Sequence, residues 1–585
     1  MKIGPAFGDY IRLEKSQRHP SFGKTYKTRS FLLPLILIVG IILILGRLIF
    51  LQIIKGSDYR VLSDSNRTKT IAIHAPRGII FDRDGTPLVF NVPGFRQTPP
   101  AGGNDKTKLI DKNQALKLIS AGRTNLEIDS LRNYPYKEIF SHVLGYIGQI
   151  SKEELEQKDF SNYSGGDLVG KIGIEKEYER LLRGVNGKEL VEVDSQGKTI
   201  RKLGQTDPIP GQNITITLDV ALQKASFEAA KDIKKGAVIV SNSKGEILAL
   251  LSKPSFDSNL FTMGEGYSAE PGTVQNPSEQ NSSYTSISQV LSDSESQPLL
   301  NRAIGGTYPP GSTFKLIIAA AGLEEKGIDE NFMVEDTGIL RVGAFSFGNW
   351  YFMQYGKTEE GRVNVVRGIK RSNDIFFYKL AELVGIDSLS NFAEKFGLGN
   401  KMGIDLFGEE EGLVPTPDWK KRTIGENWYL GDTYHYGIGQ GFLLTTPLQV
   451  NIWTQAIANG GLIYKPHLLK NEKLILRQAQ IKNEKFLSEG TVDLIRQGMV
   501  ESCSTGGVAW PLFEFKVKGK EIKIACKTGT AQHGGENTMP HAWITLFAPA
   551  EKPEIIVTVL SESSGEGSNV AAPIAKKILE EWFSR

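Results

Sequence analysis

The sequence predicts an α+β protein held to a membrane by one N-terminal helix, and three observations predict it. The chain from about residue 235 onward begins on β-rich stretches, 236–240 and 246–251, and ends on others at 522–528, 541–547 and 554–561. Helical segments lie between them, around 363–398, and a last helix is expected over 571–582. Strands at both ends with helices between describe one antiparallel sheet covered by helices. Near the middle, Tyr308-Pro309-Pro310-Gly311-Ser312-Thr313-Phe314-Lys315 runs into Leu316-Ile317-Ile318-Ala319-Ala320-Ala321-Gly322, a helix apolar nearly all round and therefore buried. At the other extreme, Phe31 to Gly46 is uninterrupted apolar sequence, continued past Arg47 by Leu48 to Ile54. That is close to the roughly 20 residues that cross a bilayer.

The N-terminal 30 residues are polar and basic, with Lys2, Arg12, Lys15, Arg18, Lys24, Lys27 and Arg29 against Asp9 and Glu14. No Ala-x-Ala-like site follows the apolar run, so the reading is an uncleaved anchor rather than a signal peptide. The basic flank stays in the cytoplasm and the rest of the chain lies outside it. A length of 585 residues implies several domains, and a net charge of +3 gives no bulk signal for nucleic acid. The histidines show no ligand spacing, and neither Cys503 nor Cys526 sits in a metal-binding pattern, so neither metal nor cofactor is expected. The two cysteines lie far apart in sequence, and their pairing is left open.

Between anchor and sheet, residues 55–234 read as a second unit. Arg67, Arg77, Asp82 and Arg83 interrupt strand-like sequence and are read as structural. Residues from Asn91 to Arg132 are loop-like, with Gln97 to Asn104 the clearest loop, followed by one helix. A helix over 175–182, a hairpin around Asn186-Gly187 and a strand over 214–218 follow. The Ser-, Glu-, Gln- and Gly-rich stretch 263–297 reads as a mobile surface loop.

The chemistry points to Ser312. The Pro-Pro-Gly turn cannot be helical, so Ser312 stands at a helix start, where backbone N–H groups are unpaired. Lys315 follows one turn on. A buried amine beside a hydroxyl is what a Ser-Lys nucleophile pair requires. Ser-x-x-Lys also occurs at Ser21, Ser195 and Ser241, in polar or turn-rich sequence, and a helix cap with a surface lysine is the bland alternative. Two further motifs favour catalysis: Ser372-Asn373-Asp374, ahead of an apolar run, and Lys527-Thr528-Gly529-Thr530, at the end of the strand-like Ile522 to Cys526.

In this order and spacing the three motifs are the set of penicillin-binding proteins and serine β-lactamases. Arg77-Gly78-Ile79-Ile80-Phe81-Asp82-Arg83-Asp84-Gly85 with Asn91, Gly170 to Glu175, and Thr217-Leu218-Asp219 resemble motifs of class B penicillin-binding proteins. Ile438-Gly439-Gln440-Gly441 and Thr446-Pro447-Leu448-Gln449 resemble a segment of their transpeptidase domain. His541-Ala542-Trp543, and aspartate at position 374, resemble the elongation-type branch, penicillin-binding protein 2. The resemblance runs from Gly46 to the C-terminus, but the head insertion usual near residues 91–132 is short here.

The resemblance implies a transpeptidase domain at 235–585, a pedestal (dimerisation-like) domain at 55–234, a transmembrane helix at 31–54 and a cytoplasmic tail at 1–30. It implies a peptidoglycan D,D-transpeptidase that cross-links stem peptides ending in D-Ala-D-Ala and is acylated by β-lactams. Ser312 would be the nucleophile and Lys315 its base, with Ser372 relaying a proton to the leaving nitrogen. Asp374 would orient Lys315 or the substrate amide as a hydrogen-bond acceptor, a role that asparagine, which keeps such an oxygen, would fill to within about tenfold in acylation rate. Lys527 and Thr528 would bind the terminal carboxylate, and Gly529 would be a steric requirement. Backbone N–H groups of Ser312 and Thr530 would hold the oxyanion. Tyr308, Phe314, Tyr378 and Trp543 are read as core or rim. No glycosyltransferase segment is recognisable, so a RodA-type glycan polymerase and elongation scaffold proteins are the expected partners. The alternatives are a division-type transpeptidase, a β-lactamase or D,D-carboxypeptidase, and a β-lactam sensor. The anchor and pedestal argue against a simple hydrolase, and thirty N-terminal residues are too few for a signalling domain.

Overall fold

A computed structural model describes residues 31–97, 108–110, 112–121, 126–194, 199–263, 267, 284–356, 358–470, 485–535 and 538–585. The basic tail 1–30, and most of the stretch expected to form a mobile loop at 263–297, lie outside them; the described part of that stretch contains a helix, Ile287–Ser292. Backbone contacts divide the chain into two units, 1–72 with 188–206, and 73–187 with 207–585.

In the first unit, one helical span from Leu32 to Ile54 is long and apolar enough to cross a membrane, with mean hydropathy 2.8. After it come a helix, Gly56–Arg67, and a sheet in which the strand Gly187–Val193 lies between Thr68–Ile73 and Thr199–Thr206. The predicted hairpin turn at Asn186-Gly187 is therefore misplaced, because the two paired strands turn beyond Val193. The Asn186 amide is used elsewhere, accepting from Ala75 N–H at 3.0 Å, so the Asn-Gly signal was not a hairpin turn.

The second unit opens on the pedestal motifs. Their charges are buried together: Arg77 Nε meets Glu175 Oε2 and Arg77 Nη2 meets Glu179 Oε2, both at 2.6 Å, and Arg132 Nε meets Glu175 Oε1 at 2.7 Å. Removing one partner of such a set strands a buried charge, at about 3–5 kcal/mol. Of the stretch read as loop-like between Asn91 and Arg132, residues 98–107 and 122–125, with most of the loop expected over 97–104, lie outside the described residues, and the rest carries strands. Pro87–Gln97 pairs with Lys108–Ile110 and Leu126–Asn133, and a helix spans Lys112–Ser120. Pro93 and Gly94 hid the first of these strands, since both are depleted in strands. The helix expected over 175–182 is broken in two at Tyr178.

The chain from residue 235 onward is organised by one antiparallel sheet. Its strands are β1 (Gly236–Ser241) and β2 (Ile247–Lys253). Helices α1 (Lys315–Glu325), α2 (Val365–Arg371), α3 (Asp374–Val384), α4 (Pro447–Ala458) and α5 (Glu489–Ser502) follow. The chain returns to the sheet as β3 (Ala525–Ala531), β4 (His541–Ala548) and β5 (Ile555–Ser561), and ends on α6 (Ala571–Phe583). The strand order is β2-β1-β5-β4-β3, which leaves β3 at the edge.

Both faces of this sheet are covered, so its strands read as nearly continuous apolar runs. Ile239, Trp543, Phe547, Ile556 and Leu560 pack into the helical lobe with α1 and α4. Val238, Val240, Ile544, Leu546, Val557 and Val559 pack on the other side against α6 and the helix Val220–Ala229. Cys503, just past α5, forms a disulfide with Cys526 of β3.

The edge strand is shifted from its expected place. Ile522 and Ile524 are buried, but β3 begins only at Ala525, and Lys527, Thr528 and Gly529 pair with Thr545, Ile544 and Trp543. The Lys-Thr-Gly motif thus lies inside the strand rather than at its end. The alternation of Ile522-Lys523-Ile524 reflects burial without pairing to β4.

Candidate active site

Ser312 stands in a single 3-10 turn, Gly311–Thr313, that leads into α1. Gly311 has φ 56°, and a Cβ there would lie 3.1 Å from Thr530 O and 3.2 Å from Ala531 Cβ on the edge strand. Glycine is what lets this turn approach β3. Gly529 does the same from the strand side, where a Cβ would meet Pro310 O, Thr313 Cγ2 and Trp543 Cβ, each at 3.1 Å. The turn is tied down by Trp543 Nε1 donating to Pro309 O at 3.1 Å and by Gly311 N–H donating to Gly439 O at 2.9 Å. Tyr308, Phe314, Tyr378 and Trp543 are all buried. The Tyr308 hydroxyl donates to Glu562, which also pairs with Arg302.

Lys315, first residue of α1, is fully buried, as is Lys527. Lys315 Nζ donates to Asp374 Oδ1 at 2.6 Å and to Ser372 O at 2.8 Å, and lies 3.4 Å from Ser372 Oγ. Lys527 Nζ donates to Ser372 Oγ at 2.8 Å and to Thr528 O at 2.9 Å. Ser372, between α2 and α3, has left-handed backbone, φ 52° and ψ 39°, which is uncommon outside glycine. Asp374 opens α3, with the Asn373 side chain accepting from Phe376 N–H as its cap.

Three motifs far apart in sequence therefore meet around Ser372. The structure joins Lys315, Ser372, Asp374 and Lys527 in one hydrogen-bonded cluster. Thr528 adjoins Lys527 in the chain and Ser312 lies three residues before Lys315, but neither side-chain hydroxyl makes a hydrogen bond among the described residues. Thr530 Oγ1 accepts weakly from Gly567 N–H at 3.5 Å.

The charges compete. Burial lowers the Lys315 pKa from its ordinary value, and the charge and hydrogen bond of Asp374, with the charge of Glu360, recover only part of that. Burial lowers Lys527 much further, helped by the positive charge of Lys315 and opposed by Asp374. His541 is pushed down to about 4 by burial and by its stacked neighbour His533.

Asp374 departs from the sequence expectation in one respect. Both its oxygens are used, Oδ1 by Lys315 and Oδ2 by the backbone N–H of Trp350 at 2.8 Å. Asparagine offers only one acceptor oxygen, so it does not reproduce this arrangement. Trp350 carried no sequence signal, because its contribution is a backbone group. Asp336, Asn349, Glu360 and Arg371, which surround the Ser372 motif, were likewise missed, since no spacing pattern links them.

Comparison with known proteins agrees with this geometry. Residues 235–580 match the family described as penicillin binding protein transpeptidase domain, and residues 121–216 match the penicillin-binding protein dimerisation domain. A peptidoglycan D,D-transpeptidase, MrdA, of Acinetobacter baumannii is 32% identical, over 96% of this chain and 88% of its own length. Among solved structures, the complex between PBP2 and MreC from Helicobacter pylori has a PBP2-like chain of TM-score 0.72 at 29% identity, covering 88% of this chain and 99% of that one. A chain of a peptidoglycan synthase complex that coordinates polymerization and crosslinking has TM-score 0.69 at 28% identity, covering 95% and 98%. The chain belongs to the penicillin-binding protein transpeptidases, and within them to the elongation-type peptidoglycan D,D-transpeptidases.

Proposed function

We propose that Ser312 carries the acyl group in cross-linking and that the residues around Ser372 move its protons. The observation that carries this reading is the buried cluster in which Lys315, Ser372, Asp374 and Lys527 meet, one turn from Ser312. Ser312 Oγ adds to the carbonyl carbon of the penultimate D-Ala of a stem peptide, and its proton passes to Lys315 Nζ. The low pKa that burial imposes on Lys315 supports this role, because a base must be partly neutral. Collapse of the intermediate breaks the C–N bond while Ser372 Oγ passes its proton to the departing D-Ala amine and takes in its place the proton held by Lys315 Nζ, 3.4 Å away. An amine of a neighbouring stem then attacks the ester carbon, and Ser312 leaves with a proton.

Asp374 aims Lys315. Lys527 and Thr528 take the terminal carboxylate, and that negative charge draws a proton onto Lys527, which burial otherwise holds well below its ordinary value. The N–H groups of Ser312 and Thr530 stabilise the oxyanion, each worth roughly 3–4 kcal/mol.

In this reading the chain divides into a tail at 1–30, an anchor at 31–54, a pedestal at 55–234 and the transpeptidase domain at 235–585. The catalytic domain is outside the cytoplasm. The basic flank of the anchor supports that orientation, as does the Cys503–Cys526 disulfide, a bond favoured in oxidising compartments. The partners are a RodA-type glycan polymerase and a scaffold protein of the MreC kind, on the analogy of the PBP2–MreC and synthase complexes to which the chain is similar.

The test is reconstitution of the full chain with a glycan polymerase and lipid II, followed by mass spectrometry of the muropeptides. Cross-linked dimers that vanish in Ser312→Ala support the reading. Trimmed monomers with no dimers would mean the acyl group passes to water, as in a carboxypeptidase.

A further inference from the structure

Beneath Ser372 lies a group of polar side chains that the proposed mechanism does not use. Asp336, Asn349, Glu360 and Asn373 are all buried, and they close on one another. Asn349 Nδ2 donates to Asp336 Oδ2 at 2.8 Å and to Glu360 Oε2 at 3.2 Å. Asn373 Nδ2 donates to the same two oxygens at 2.7 and 3.0 Å. Two amide groups thus supply four N–H bonds, and two carboxylate oxygens accept two each. We propose that Asp336, Asn349, Glu360 and Asn373 form a closed hydrogen-bond ring that acts as one positioning unit for Ser372 and Asp374.

Every outward-facing atom of the ring is committed. Asn349 Oδ1 accepts from the N–H of Asp374 at 3.2 Å, and Asn373 Oδ1 accepts from the N–H of Phe376 at 2.8 Å. These backbone donors fix which way each amide points, so the NH2 groups must face inward. Asp336 Oδ1 accepts from Gly338 N–H at 2.7 Å, and Glu360 Oε1 from Arg371 Nε at 2.6 Å. The ring is therefore polar-matched throughout, the condition under which a buried network specifies one geometry.

Its placement is what connects it to the reaction. Asn373 follows Ser372, Asn349 precedes Trp350, and the Trp350 N–H holds Asp374 Oδ2. The Trp350 indole N–H adds a bond to Arg371 O at 3.1 Å. The ring thus pins the backbone on both sides of the Asp374 carboxylate and immediately after the left-handed Ser372. Strained backbone of that kind persists only where its surroundings over-determine it. Members of the ring touch no substrate; they act through Ser372 and Asp374. The proposal rests on the assignment of those two residues to acylation.

The ring makes an unusual test available, because its polarity can be reversed. In the half-inverted variant Asp336→Asn/Glu360→Gln, four NH2 groups face one another. In the fully inverted variant, with Asn349→Asp and Asn373→Asp added, amides and carboxylates exchange places. Net charge, all four ring bonds and all four outward acceptors are then retained. Full-length, detergent-solubilised protein is reacted with a fluorescent penicillin, and the labelled fraction, the limiting acylation rate and the apparent Kd are measured separately.

The half-inverted variant is expected to lose about 100-fold in acylation rate with Kd changed less than about threefold. The fully inverted variant is expected to recover to within about tenfold of wild type. A purely stabilising role would lower the labelled fraction and leave the rate of that fraction unchanged, which would overturn the proposal. So would a fully inverted variant no faster than the half-inverted one. If the half-inverted variant does not fold, the milder Glu360→Gln is measured in its place: a slowed rate in the labelled fraction supports the ring, and an unchanged rate refutes it. Wild-type protein that is not acylated at Ser312 would instead refute the reading on which the proposal rests.

Discussion

Asp374 shows how a single carboxylate differs from its amide in this site. Its two oxygens receive one donor each, from Lys315 and from the Trp350 backbone. Asp374→Asn leaves one of those buried donors facing an NH2 group, at a cost of about 1–3 kcal/mol, or about 5- to 150-fold in acylation rate. It also removes a charge that raises the Lys315 pKa, so the ascending limb of the rate–pH profile moves to lower pH. Stopped-flow acylation of the variant across pH measures both effects, and a rate and limb equal to wild type would show that one acceptor suffices. The two lysines impose opposite pH trends on the wild-type enzyme. Lys315 accepts a proton only when neutral, so the limiting acylation rate rises with pH through its lowered pKa. Lys527 holds a carboxylate only when charged, so the apparent Kd for penicillin also rises with pH. Both limbs are predicted below the ordinary lysine value of 10.5, and a Kd independent of pH would remove Lys527 from carboxylate binding.

Two close approaches shape the cleft at the level of elements, the turn before α1 against β3, and α5 against β3. The first depends on Gly529. Its missing Cβ would lie 3.1 Å from a carbonyl, a threonine methyl and the Trp543 Cβ, none of them the end of a flexible chain. Gly529→Ala is expected to slow acylation about tenfold while the melting temperature falls by only a few degrees, because the strand shifts rather than unfolds. Retention of the full rate would mean the turn yields freely. The second approach is covalent. The Cys503–Cys526 disulfide closes a loop of sequence separation 23, worth about 3 kcal/mol by chain entropy. The double variant Cys503→Ser/Cys526→Ser should lose that stability in denaturant unfolding, and an unchanged midpoint would show no constraint. The motifs and helices of this domain were legible because they are local: a Pro-Pro-Gly turn before an apolar run, a Ser-Asn-Asp triplet before another, apolar strands. The pairing of the cysteines was not, since it joins elements whose contact only the fold creates. The left-handed Ser372 and the ring beneath it were illegible for the same reason, as Asp336, Asn349 and Glu360 are ordinary polar residues until the strand pair Val334–Asp336 and Gly361–Val363 and the start of α3 bring them together. The start of β3 was misplaced because Ile522 and Ile524 are buried without pairing to β4.

For the whole molecule, anchor, pedestal and transpeptidase sequence follow one another in a chain that matches relatives over nearly its full length. The helical span from Leu32 to Ile54, long and apolar enough to cross a membrane, was legible from composition alone, because it is one continuous apolar run. The pedestal was only partly legible. Arg77 is readable in sequence as structural, but its pairing with Glu175, and that of Glu175 with Arg132, is created only by the fold. The chemistry proposed for the molecule centres on an acyl-enzyme at Ser312. The most direct test is intact-mass and peptide-mapping spectrometry of the full-length protein after exposure to benzylpenicillin. The account predicts one adduct, on the peptide that holds Ser312, absent from Ser312→Ala. An adduct on any other peptide, or undiminished labelling of that variant, would contradict it.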